Sequence, residues 1–147
     1  MDLLIVILVA FAGWLWFNTP SSTGAASQDG SQPDNLSKLT QGVASIEGYF
    51  KSGSLPQRTN NPGNIGTYGG KIASYPDAGQ GFEALQVWIQ NHAAQNPNWD
   101  FYDMFHYYLT GDTLSPGGPG QSPDSYAEYV ANYVGVDPTT PVSTVIG

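Results

Sequence analysis

Cysteine is absent from this chain of 147 residues, which excludes both a disulfide framework and a thiolate metal site. The compartment stays open, because an exported protein need not use cysteine. Positive charge is almost missing as well. Lys38, Lys51, Arg58 and Lys71 are the only cations, set against twelve acids for a formal charge of −8. Nucleic-acid binding needs a supply of phosphate-neutralising Lys and Arg, so nucleic acid is not expected as a partner. The two histidines, His92 and His106, lack the spacing of a zinc site, and Gly117-Gly118-Pro119-Gly120 lacks the Lys-Ser/Thr of a phosphate cradle. No metal and no cofactor is expected. One further scarcity is local: from Gly48 to Pro76 there is no Asp or Glu at all.

What is present falls into three stretches. Leu3 to Phe17 is an unbroken apolar run of fifteen residues. As a helix it would span roughly 22 Å, short of the roughly 30 Å hydrocarbon core. Asn18 and Thr19 bring it to a marginal but usable length, and Trp14 and Trp16 suit a membrane interface. Residues 1–19 are therefore expected to form an N-terminal transmembrane helix. A cleaved signal peptide competes, with Gly24-Ala25-Ala26 as its small-residue site, but Met1-Asp2 supplies no basic leading region. A packed, soluble helix is the third reading. Orientation is not encoded, since no cation precedes Lys38. Residues 20–33, rich in Ser, Gly, Ala and Gln, read as a flexible linker.

Residues 34–147 read as a mainly helical (α+β) domain. Leu36, Leu39, Val43, Ile46 and Phe50 recur at steps of three and four, an apolar helical stripe that Asp34 or Asn35 would cap and Gly53 would end. Ile65–Tyr68 and Lys71–Tyr75 around Gly69-Gly70 predict one small β-hairpin. Asp77 and Gln80 stand at capping-box spacing before a second helix that ends ahead of Pro97. A third helix is expected from about Asn98 to Leu109 with Gly111 as its stop, and a fourth from Ser122-Pro123 to Gly135. Beyond Val136 only a short turn at Thr140-Pro141-Val142 is expected.

Glu47 closes the first stripe, beside Ile46, Tyr49 and Phe50. A carboxyl among apolar groups keeps its proton to higher pH, because burial disfavours the charged form. Such a group can protonate a leaving oxygen. The plainer alternative is a solvated residue: Glu47 and Lys51 lie at i and i+4, the favourable order for a surface ion pair.

Ile46-Glu47-Gly48-Tyr49-Phe50-Lys51-Ser52-Gly53-Ser54-Leu55, followed by Arg58-Thr59-Asn60-Asn61-Pro62-Gly63-Asn64-Ile65, resembles the phage and bacterial lytic transglycosylases of the lysozyme-like superfamily. It is most like the small virion-associated enzymes of membrane-containing phages. The likeness continues through Tyr75-Pro76-Asp77-Ala78-Gly79, Phe82-Glu83-Ala84-Leu85, Ser125-Tyr126-Ala127-Glu128-Tyr129-Val130 and Val134-Gly135-Val136-Asp137. It covers about residues 35–147. The chain departs from the commoner family pattern at Gly48, where Ser usually follows the acid. The resemblance implies a lysozyme-like fold, with Glu47 as the catalytic acid and peptidoglycan as the substrate. Gln57, Asn61 and Asn64 become candidates for hydrogen bonds to acetamido groups, with loop-stabilising turns as the alternative. Arg58 would orient Glu47, bind a muramyl carboxylate or anchor the loop. Tyr75 and Tyr129 would line the cleft, as would Tyr126, although residues at the helical spacing of Tyr126 and Tyr129 are more often core.

Two-carboxylate glycosidases need a second acid within about 5–10 Å of the first. The hairpin offers none before Asp77, which reads better as a helix cap. A single acid favours transglycosylation, with a muramidase using Asp77 as the alternative. A non-catalytic virion or envelope protein that keeps the fold is the rival from another class. The expected setting is a virion membrane, with other virion proteins as possible partners, or a bacterial inner membrane with the domain facing the periplasm.

Overall fold

Asp34 accepts a hydrogen bond from the Ser37 amide (2.6 Å) and so starts the first helix of the computed structural model, α1 (Asn35–Ile46). The structure describes residues 34–67, 70–115, 117–118, 120 and 122–147. The expected membrane anchor (1–19) and linker (20–33) lie outside the described residues, as do Tyr68 and Gly69 of the expected hairpin. Among the described residues no helix is long and apolar enough to cross a membrane.

The stripe on α1 buries Leu39 and Val43 completely, but it ends earlier than the periodicity implies. Glu47 is the C-cap and Gly48 takes φ +79°. The Gly48 amide donates to the Ser45 carbonyl (3.0 Å) and the Tyr49 amide to the Ala44 carbonyl (2.8 Å). These two bonds make a Schellman stop, which needs a left-handed residue at the position Gly48 fills. Phe50 is therefore outside the helix and 61% exposed rather than part of the core stripe. A Cβ on Gly48 would meet nothing within 4 Å, so Gly48→Ala costs only backbone strain. The expected loss is about 1 kcal/mol by denaturant titration, the lower end for a left-handed non-glycine residue.

The hairpin shrinks to one antiparallel bridge, Gly66 to Ile72, and the described residues contain no strand. Thr67 and Lys71 share a backbone bond, as do Ala73 and Ile65. Gly66 has no side chain to pack, Ile72 is exposed, and among the described residues no third strand covers the pair. An isolated two-stranded ribbon of this size is marginal in water.

The remaining helices are α2 (Leu55–Arg58), α3 (Ala78–Gln95), α4 (Phe101–Thr110), α5 (Pro123–Val134) and α6 (Val142–Ile146). Their ends follow local chemistry. Asp77 caps α3 and Ser122 caps α5 with Pro123 in its first turn, while left-handed Gly111 and Gly135 end α4 and α5. Asp100 caps α4 two residues later than expected. The short α6 was not expected. Pro141 precedes it, and Val142 and Val145 bury themselves against the core.

Helix α5 packs against both α1 and α4, and Leu39, Leu85, Ile89, Phe101, Phe105 and Val130 are fully buried between the helices. Each such side chain contributes about 1.5–3 kcal/mol of burial. The mainly helical class is as expected.

Candidate active site

The end of α1 leaves the Glu47 carboxyl half-buried where α5, α4 and the Asn60–Ile65 loop meet. Tyr126 on α5 donates its hydroxyl to Glu47 Oε1 (2.9 Å). Asn64 reaches it from the loop side. Burial is the largest influence on Glu47 and raises its pKa, while the bonds from Tyr126 and Asn64 pull it partly back. Tyr126 and Tyr108 are themselves pushed well above the usual phenol range by burial. Both therefore stay neutral and remain donors beside the acid.

Glu47 stands between two halves of a surface cleft. One half, ≈ 290 Å³, is walled by Gly63, Asn64, Ile65, Trp88 and Tyr108. The other, ≈ 360 Å³, is walled by Ile46, Ser122, Ser125, Tyr126 and Tyr129. Both halves share Glu47 and Leu109. Among the described residues, Glu47 is the sole carboxylate in either wall. Asp77 is occupied elsewhere: it accepts from the Gln80 amide (2.9 Å) and from the Gln80 side chain (3.1 Å) at the head of α3. No ion pair joins Glu47 to Lys51 among the described residues.

The loop opposite Glu47 is held by its own asparagines. Asn61 is fully buried: its amide nitrogen donates to the Ile65 and Ala73 carbonyls, and its oxygen accepts from the Ile65 amide (2.9 Å). It is a clamp inside the loop and presents nothing to the cleft. Asn60 and Asn64 both take left-handed backbone, φ 51° and 50°, which asparagine tolerates better than most residues. Asn64 Oδ1 is buried with no hydrogen-bond partner, an acceptor left over at the cleft wall. Tyr108 donates to the Gly63 carbonyl and ties the loop to α4.

Of the residues singled out from sequence, Glu47, Asn64 and Tyr129 come together at the cleft. Gln57 instead accepts from the Gly53 amide (2.7 Å) on the exposed turn before α2. Arg58 is exposed at the end of α2, and Tyr75 is tied through its backbone to Thr59 and Asn60. Neither is in the cleft walls. Sequence spacing does not single out Tyr108 and Trp88, and Tyr126, whose spacing suits a core, belongs both to the core and to the cleft wall. Helical spacing shows only that such rings face inward. A buried phenol needs a partner for its hydroxyl, and that rule was the one available hint. Chain-wide comparison with family models, with curated proteins and with solved structures finds no match.

Proposed function

We propose that this protein is a peptidoglycan lytic transglycosylase of lysozyme-like fold, with Glu47 as its general acid and base. The observation that carries the proposal is one carboxyl, held towards its protonated form by burial and, among the described residues, the sole acid in a two-sided cleft. Glu47 gives its proton to the oxygen linking C1 of N-acetylmuramic acid to N-acetylglucosamine, and the C1–O bond breaks. The N-acetyl oxygen of the same sugar shields the positive charge at C1, which removes the need for a second carboxylate. The Glu47 carboxylate then takes the C6 hydroxyl proton while O6 bonds to C1, closing a 1,6-anhydro ring. Tyr126 holds the carboxylate oxygen that it donates to, and Asn64 faces it across the cleft. With residues 1–19 as an anchor, the domain would stay tethered to a virion or bacterial membrane while it opens the adjacent wall, most simply as a phage enters its host.

The direct test incubates the full-length protein with purified peptidoglycan and analyses the fragments by mass spectrometry. Anhydro-muramyl ends are the expected product. Reducing ends would mean hydrolysis, and no release would mean a binding protein.

The pH profile supplies a second check. The acid must start protonated, so kcat/KM holds at pH below the Glu47 pKa and falls above it. Tyr126→Phe removes a donor that favours the charged carboxylate. The alkaline limb of the profile is expected to move to higher pH, with peak activity reduced several-fold by the looser carboxyl. An unmoved limb would show that Glu47 is not the group being titrated.

A further inference from the structure

Tyr129 and Tyr133 are neighbours on α5 with 41% and 43% of their surfaces exposed, large aromatic rings that the core does not use. Both are fixed from behind by α1. The Tyr129 hydroxyl shares a hydrogen bond with Ser45 Oγ (2.9 Å). The Tyr133 ring lies over Gly42, where an added Cβ would stand 3.2 Å from Tyr133 Cβ and Cγ. The ring centroids are 6.4 Å apart and the planes tilt by 36°. Tyr129 also belongs to the wall of the cleft half that Ser122, Ser125 and Tyr126 line, so the pair prolongs that half away from Glu47.

The stripe is uncharged on a strongly acidic chain. Ser122, Ser125, Tyr129 and Tyr133 follow one another at helical steps of three and four, and exposed Asn132 sits beside them. The acids of α5 turn elsewhere: Asp124 pairs with His106 (2.6 Å), and Glu128 accepts from Tyr102 (3.4 Å). Neutral, rigid aromatic faces with hydroxyls and an amide alongside match the chemistry of a sugar ring, which offers an apolar C–H face and a polar rim.

We infer that Tyr129 and Tyr133 form a stacking track for a polysaccharide strand, binding the sugars beyond the bond that Glu47 cleaves. The inference rests on the glycan reading of the cleft and adds a specificity: long strands are preferred to short ones. Pre-organisation gives the track its value, because rings already held by Ser45 and Gly42 lose little freedom on binding.

The test compares full-length wild type with Tyr133→Ala and Tyr133→Leu, the second keeping apolar cover over Gly42 without an aromatic face. Kinetics are measured on intact glycan strands and on a muramyl tetrasaccharide. Both variants are expected to raise KM on long strands about two- to tenfold, the range for one aromatic contact, and to leave kcat and the tetrasaccharide unchanged. Equal changes on both substrates, or no change on either, would overturn the track. Retention on insoluble peptidoglycan is measured in parallel in a Glu47→Gln background. Loss of retention in the Tyr133 variants would uphold the track even if wild type cleaved nothing, so the two readings fail separately. Self-association abolished by Tyr133→Leu, with glycan retention unmoved, would assign the stripe to a protein partner and overturn the proposal.

Discussion

Glu47→Gln is expected to lower glycan cleavage about 10²–10⁴-fold, the usual worth of a positioned general acid and base. Glutamine keeps the size of the side chain and an oxygen for the Tyr126 hydroxyl, but it has no proton of suitable acidity to give. Binding of glycan should persist, so the loss should fall on kcat and anhydro-muramyl ends should vanish from the digest. Undiminished release by the variant would remove the proposed mechanism. The same substitution is expected to stabilise the protein at neutral pH. The folded-state pKa of Glu47 lies above its ordinary value, so below that ordinary value both states are protonated and the group contributes nothing. As pH rises through the raised folded pKa, the folded state must ionise a half-buried carboxyl that the unfolded chain ionises freely. Stability is lost across that window in the wild type and not in the variant. Thermal unfolding at pH 4 and pH 7 should therefore show a Tm advantage for Glu47→Gln only at the higher pH.

Gly81→Ala should destabilise the fold by about 3 kcal/mol, the upper end of the overpacking range. Sequence reasoning points the other way, since alanine in the body of a helix is worth about 1 kcal/mol over glycine. The geometry decides the sign. A Cβ on Gly81 would collide with the carbonyl oxygen of Asn60 and stand 2.9 Å from Pro62 Cδ. The obstructing atom is backbone of the loop that carries Asn64 to the cleft, so relief means displacing the loop. Tm should fall by about 4 °C for each kcal/mol lost. Activity should fall further than stability explains, because a misplacement of about 1 Å at a reacting site can cost about 10²-fold. A variant as stable and active as wild type would show that α3 and the loop are not in the contact described.

These two substitutions also mark how far the chain could be read without its fold. The helix starts at Asp34, Asp77 and Ser122 and the stops at Gly111 and Gly135 were legible, because each depends on residues three or four positions apart. The end of α1 is not legible, because the apolar spacing runs on to Phe50 while the left-handed turn at Gly48 ends the helix before it. The hairpin was overestimated because turn chemistry says nothing about whether a third element will cover the strands. Glu47 was legible as a lone acid, but its close neighbours are Tyr126 and Asn64 rather than Phe50, which is exposed.

Sequence alone determined the helical class, the caps at Asp34, Asp77 and Ser122, the scarcity of cations and the isolation of Glu47, all of which follow from composition and short-range spacing. Tertiary structure decided that Asn61 is spent inside its own loop while Asn64 faces the acid. It also decided that Tyr126, 79 residues from Glu47, is the phenol that reaches it. The reason is physical. A hydrogen bond between distant segments depends on how helices pack, and packing is set by the whole core at once rather than by any window of the chain.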